Sequence, residues 1–234
     1  MANAKQLVLG HVARGTGRHR PFDQVYAGSM HVKPEDIKDD CPIDALVIWG
    51  GEDISPSIYG DTVHAMCGAS STLSERDRLE VNACLEAIDR DIPIIGVCRG
   101  AQLVCALAGG RLIQHVDNHG GNHMMETFDG QMIVTSSVHH QMMYPFNLPK
   151  DQYSMIAWAD KPRSTRYMIG DKFPEMLDKM GGDDRIEPEI IWFPKIKALA
   201  IQGHPEFHSD PYDPFVTYCM NLVRSHILHE TEVV

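Results

Sequence analysis

The sequence contains no uninterrupted run of about 18 apolar residues, so a membrane span is not expected. Its six cysteines include no C-x-x-C pair. Between Met1 and Gly10 there is one lysine, and Leu7-Val8-Leu9 is the only apolar core, too short for a signal peptide. The expectation is therefore a cytoplasmic protein whose thiols stay reduced. Basic charge is also scarce. Lys+Arg number 21 against 32 for Asp+Glu, a net charge of -11, and such a surface repels phosphate backbones. Nucleic acid is thus excluded as an expected partner. The one basic stretch, Arg14 to Arg20, is broken by Gly15 and Gly17 and reads as a solvated loop. No G-K-S/T occurs, and Gly15-Thr16-Gly17 lacks the third glycine of a dinucleotide fingerprint. No nucleotide cofactor is expected.

What is present is ordinary globular material: 43% apolar and 23% charged residues. The 234 residues suit one large domain, read as 1–234. Short apolar runs alternate with helix-period segments, which predicts an α/β domain with a mostly parallel central sheet flanked by helices. Strands are expected at Gln6 to Leu9, Ala45 to Trp49, Pro93 to Val97, Arg111 to His115, Gln131 to Ser136 and Ala198 to Gln202. Ser74 with Asp77 forms a weak capping box for a helix running to Arg90, with Val81, Leu85 and Ile88 sharing a face. A second helix, Ala101 to Ala108, stops at Gly109-Gly110. A last helix begins near Pro214 and buries Phe215, Cys219 and Leu222. Residues 160–195, rich in charge, proline and glycine, read as a surface excursion.

Gly96-Val97-Cys98-Arg99-Gly100 stands between a predicted buried strand and a helix. The serine version of this pattern is the nucleophile elbow, where flanking glycines relieve crowding at a sharp turn. The helix N-terminus beneath Cys98 favours negative charge on the sulfur. Gln202-Gly203-His204-Pro205-Glu206 follows another apolar run, and places a base beside an acid able to orient it.

Together these motifs resemble the class I glutamine amidotransferase superfamily, and within it most closely the γ-glutamyl-γ-aminobutyrate hydrolase group of the C26 peptidases. Five blocks in order carry the resemblance: Trp49 to Pro56 with Tyr59-Gly60, Cys98 to Gln102, Ala108 to Gln114, Ser137 to Gln141, and Gln202 to Glu206. The resemblance implies a flavodoxin-like fold and a triad of Cys98, His204 and Glu206. It also implies an oxyanion hole from the N–H groups of Gly51 and Arg99, and a substrate site at Gly50, Gln102, Ser137, Val138 and His139. The implied reaction is hydrolysis of a γ-glutamyl amide, glutamine or a γ-glutamyl amine, through a glutamyl thioester. The alternative is the glutaminase subunit of a two-protein amidotransferase that delivers ammonia to a synthetase. A third reading is an inactive relative that binds without turnover, against which the intact triad counts.

The departures from the pattern are specific. Glu52 stands where a third glycine is common, and is expected to point away from the oxyanion. Gly203 replaces a large residue, which predicts a wider pocket beside His204. The family's short hairpin after Trp158-Ala159-Asp160 gives way to a longer charged stretch before Ile190-Ile191-Trp192. His115, His119 and His123 are spaced by four but sit among glycines and asparagines without a zinc framework. Loop or rim positions are expected for them, and no metal. The paired methionines Met124-Met125 and Met142-Met143 read as core filler, and Cys105 as buried and inert. Phe215 to Ile227 suits packing on the sheet better than an oligomer surface, though a homodimer stays open.

Overall fold

A computed structural model describes residues 7–12, 20–177 and 185–229. All but Arg20 of the expected Arg14 to Arg20 loop lies outside them, as does Gln6 of the first predicted strand. In chain order the elements are β1 (Val8–His11), β2 (Gly28–His31), β3 (Ala45–Ile48), α1 (Glu75–Asp89), β4 (Ile94–Val97) and α2 (Arg99–Leu107). There follow β5 (Arg111–Ile113), β6 (His115–Val116), β7 (His123–Thr127), β8 (Met132–Thr135) and β9 (Met142–Tyr144). The chain then forms β10 (Ser154–Ala159), β11 (Tyr167–Met168), β12 (Pro188–Phe193), β13 (Ala198–Ile201) and α3 (Pro214–Leu222).

Nine strands form one sheet in the order β2-β1-β3-β4-β13-β12-β10-β7-β8. The first five are parallel, and their order is that of flavodoxin-like doubly wound domains. The remaining four join antiparallel. The three central parallel strands, β3, β4 and β13, are short, aliphatic and buried on both faces, as a sheet covered by helices requires. Alternate residues face opposite cores. Val47, Ile95, Leu199 and Ile201 meet Phe215 and Cys219 of α3. Leu46, Ile48 and Ile94 meet Ala83 and Cys84 of α1 and Leu103 and Val104 of α2.

The caps explain the helix limits. Ser74 and Asp77 form a reciprocal capping box at α1. Asp213 accepts from the N–H groups of Phe215 and Val216 at α3, with Pro214 in the first turn. Gly109, at φ 92°, ends α2 in a conformation that favours glycine.

Two expectations need correction. The buried face of α1 is Asp77, Glu80, Ala83, Cys84 and Ala87, while Leu85 is 50% exposed and Val81 and Ile88 only half-buried. An ion pair with Arg99 fixes that face, overriding the apolar period. Nor do the described residues of 160–195 lie on the surface as a whole, residues 178–184 being outside the described ones. Pro188–Phe193 is β12, deep in the sheet, and Tyr167–Met168 pairs with β6. Ser164, Tyr167, Met176 and Glu187 are buried as well. Tyr167 and Met176 join Ile113, Val116, Met142 and Tyr144 in a third apolar cluster.

Candidate active site

Strands β3, β4 and β13 are neighbours running in one direction, so the segments leaving their carboxyl ends converge. They are Trp49-Gly50-Gly51, Cys98, and Gln202 to Glu206.

Cys98 sits at φ 50° and ψ -107°, a conformation that non-glycine residues rarely adopt and that costs about 1–3 kcal/mol. Its flanking glycines are required by contact. A Cβ on Gly96 would stand 2.5 Å from the Gly100 carbonyl oxygen, and one on Gly100 would run into Ile48 O. The Cys98 N–H donates to Ile201 O at 2.7 Å, tying the elbow to β13. No side chain caps α2, so the N–H groups of its first turn are left for the cleft.

His204 is fixed from three sides. Its Nδ1–H donates to Glu206 Oε1 at 2.7 Å, and its ring stacks on Phe207 at 4.2 Å and 3°. Its backbone N–H donates to Ser136 Oγ at 2.8 Å, and that hydroxyl donates back to His204 O at 3.1 Å. The remaining ring nitrogen, Nε2, is buried and has no hydrogen-bond partner of regular geometry. Burial opposes a charged imidazole here. Interaction with Cys98 and Glu206 overrides it, and the His204 pKa is pushed up to about 9. Gly50 brings these two side chains together, since a Cβ there would lie 2.7 Å from His204 Cε1 and 3.3 Å from Cys98 Cβ.

The glycine loop is held by a residue that sequence reasoning missed. The Arg76 guanidinium, on α1, donates to Trp49 O and Gly50 O, both at 3.0 Å. It also pairs with Glu52 and Glu80, at 2.9 and 2.8 Å. Glu52 borders the cleft, and burial would raise its pKa, but a hydrogen bond from its own backbone N–H, with the Arg76 and Arg99 guanidinium charges, lowers it. The Arg99 side chain turns away from the cleft into a buried pair with Asp77, at 2.6 Å, and Glu80. The sequence-level trace of this network was the i,i+4 pair Arg76–Glu80 on a capped helix.

A cleft of about 230 Å³ opens at Cys98 and is lined by Gly51, Gln102, Val138, His139 and Gln141 among others. Larger hollows, of about 320 and 580 Å³, lie at Arg20 to His208 and at Asn118 to Arg163; neither is lined by Cys98. Gln102 Nε2 donates to Gln141 O at 2.9 Å and to Gln202 Oε1 at 3.4 Å, bracing the cleft floor. Val138 is 57% exposed at the rim. His139 is buried in the wall, its Nδ1–H donating to Gln141 O at 2.9 Å. Ser137 is not part of the lining, and its hydroxyl donates to His119 O at 2.8 Å. Gly203 does not widen the pocket as expected. Phe215 and the Ser136 carbonyl fill the space, each 2.8 Å from where a Cβ would stand, with Thr135 beside them. Cys105 is buried, and burial pushes its thiol up to about 12, out of reach of ionisation near neutrality. His119 and His123 are buried too, contrary to the rim positions expected of them.

This doubly wound sheet is the fold of class I glutamine amidotransferases. A solved glutaminase domain of CTPS from Trypanosoma brucei, with bound acivicin, superposes with a TM-score of 0.55 at 16% identity, covering 97% of this chain and 96% of that one. Residues 33–157 match the Peptidase C26 family, and the chain belongs to it. The glutamine amidotransferase-like protein YvdE of Lactococcus lactis subsp. lactis is 29% identical over 183 residues, 74% of this chain and 71% of that protein. Its homologue in Lactococcus lactis subsp. cremoris is 43% identical over 83 residues, 35% of this chain, and the match spans only 43% of that relative's length. Among the described residues no helix is long and apolar enough to cross a membrane.

Proposed function

We propose that the protein is a free-standing cysteine hydrolase of γ-glutamyl amide bonds, acting on glutamine or a γ-glutamyl amine. The observation that carries this reading is Cys98, held at a strained positive φ in a cleft beside an imidazole paired to Glu206. Cys98 Sγ attacks the side-chain carbonyl of the substrate. Arg76 supports the oxyanion role of Gly51: it binds the Gly50 carbonyl, and a trans peptide turns the following N–H to the opposite side. The N–H of Arg99, first residue of α2, is the second donor. Each is worth about 3 kcal/mol of barrier by comparison with other hydrolases. His204 protonates the departing amine or ammonia, leaving a glutamyl thioester. It then takes a proton from water, and glutamate leaves. Gln102, Val138, His139 and the loop at Gly50 hold the glutamyl end, with Ser137 bracing the wall behind. Glutamate release by the purified chain, on glutamine and on γ-glutamyl-γ-aminobutyrate, tests the reading. Turnover of either without another protein is expected.

One observation favours a second reading. The likeness to a solved glutaminase domain suits a glutaminase subunit that a synthetase switches on when it docks. The CTPS glutaminase domain described above has this fold. Negligible turnover by a folded chain, restored by a synthetase, would decide for it.

The raised His204 pKa sets a pH dependence. The imidazolium persists through neutrality and is lost as pH rises through about 9. An alkaline limb near 9 is therefore expected in kcat/KM. Glu206→Gln removes one of the groups that raise the value, so the limb should move to lower pH. A limb unmoved by that change would belong to another group. The same shift contributes stability below about pH 6.5 that fades as pH rises towards 9.

A further inference from the structure

Behind the cleft lies a cluster that takes no part in the bond-breaking steps, although one member, His139, also reaches the cleft wall. His119, in the loop before β7, His139, in the loop after β8, and Glu189, on β12, are all buried. One ligand atom from each lies within 4.8 Å of the other two. The hydrogen bonds around them dictate which atoms are bare. His139 Nδ1–H donates to Gln141 O, so its Nε2 carries a lone pair, and that atom is buried without a partner. His119 Nε2–H donates to Glu187 Oε2 at 3.1 Å, leaving Nδ1 in the same condition. Glu189 Oε1 accepts from His123 Nε2 at 2.8 Å, and its Oε2 is buried and unpartnered. Each of the three clustered residues thus keeps one buried acceptor without a donor, which costs free energy unless a cation satisfies it.

We propose that His119, His139 and Glu189 bind one divalent transition-metal ion, zinc by preference. Two imidazoles and one carboxylate form a recurrent zinc donor set, with a fourth position left for water. The surroundings have the usual form of outer support, since each ligand is oriented through its other heteroatom by a carboxylate, a carbonyl or an imidazole. Glu187 is itself saturated. It accepts from the backbone N–H groups of Arg163 and Ser164, both at 2.9 Å, and from the Tyr167 hydroxyl at 2.6 Å. Arg163, Ser164 and Tyr167 thus turn inward to complete the outer support of the site. Because His139 also lines the cleft with Cys98, the ion would lock one wall of that cleft. The ligands come from three distant segments, which is why zinc spacing is invisible in the sequence.

The test is metal content and affinity of the full-length protein, stripped with chelator and titrated with Zn²⁺ and, for its visible spectrum, Co²⁺. About one ion per chain is expected, with a cobalt spectrum of low coordination number and a Tm raised by zinc. Glu189→Gln and His119→Gln should each weaken binding at least ~10-fold, the lower end of losses seen for disrupted metal shells. His115→Ala is the control, because His115 and His140 form a separate pair at 3.3 Å, and binding should survive it. The direct count on the wild-type protein stands even if a variant fails to fold. No stoichiometric ion in the wild type would overturn the proposal. So would binding lost in His115→Ala and kept in Glu189→Gln, which would move the ion to the other pair.

Discussion

Cys98→Ala is expected to lower glutamate release by at least ~10³-fold while leaving the fold intact. Removing a nucleophile from a unit of cooperating groups costs about as much as removing the whole unit, which explains the size of the loss. The fold should survive because the Cys98 side chain has no capping role at α2 and its backbone N–H still reaches Ile201 O. The same position offers a second reading of the strain. Glycine adopts φ 50° freely and alanine does not, so Cys98→Gly should be more stable than Cys98→Ala by about 1 kcal/mol, although both are inactive. Thermal melts of the two variants decide the point. An alanine variant as stable as the glycine variant would show that the elbow stores no strain, and activity retained in either would end the thioester mechanism.

The largest effect on stability is expected at Arg99. Its guanidinium is buried with the carboxylates of Asp77 and Glu80. Arg99→Met keeps much of the volume but leaves Asp77 without its guanidinium and Glu80 with Arg76 as its remaining partner, and breaking such a group costs about 3–5 kcal/mol. Adding Asp77→Asn and Glu80→Gln to Arg99→Met removes the stranded charges and should recover part of the loss. Urea unfolding of the single and triple variants measures both steps. A single variant within 1 kcal/mol of wild type would mean that water or protons already relieve these groups.

Four of the five parallel strands were legible because they hold short aliphatic runs bounded by turn residues, whereas the edge strand β2, Gly28–His31, has no such run. Cys98, Gly50 and His204 were legible for a related reason: each depends on backbone geometry a few residues long, and glycine marks such places. The antiparallel half was harder to read. β7 alternates buried and half-buried residues that include His123 and two methionines, and β12 lies wholly inside the stretch read as a surface excursion. Polar burial accounts for the rest. The face of α1 was misjudged because Asp77 and Glu80, not Val81, Leu85 and Ile88, anchor it. Arg76 escaped notice because its partners, Trp49 O and Gly50 O, are carbonyls far away in the chain. The histidine cluster escaped for the same reason, as pairing between distant segments leaves no period to read.

The buried charges of α1 also bear on how this sequence can drift. A typical domain is stable by only about 5–15 kcal/mol, so losing any one of Asp77, Glu80 or Arg99 spends a large share of that margin. Passage to an uncharged set would require near-simultaneous exchange of all three, through intermediates that barely fold. These positions should therefore be nearly as unchanging among relatives as the nucleophile, although their side chains never meet substrate. Such invariance, if found, would come from their burial and pairing, not from contact with substrate.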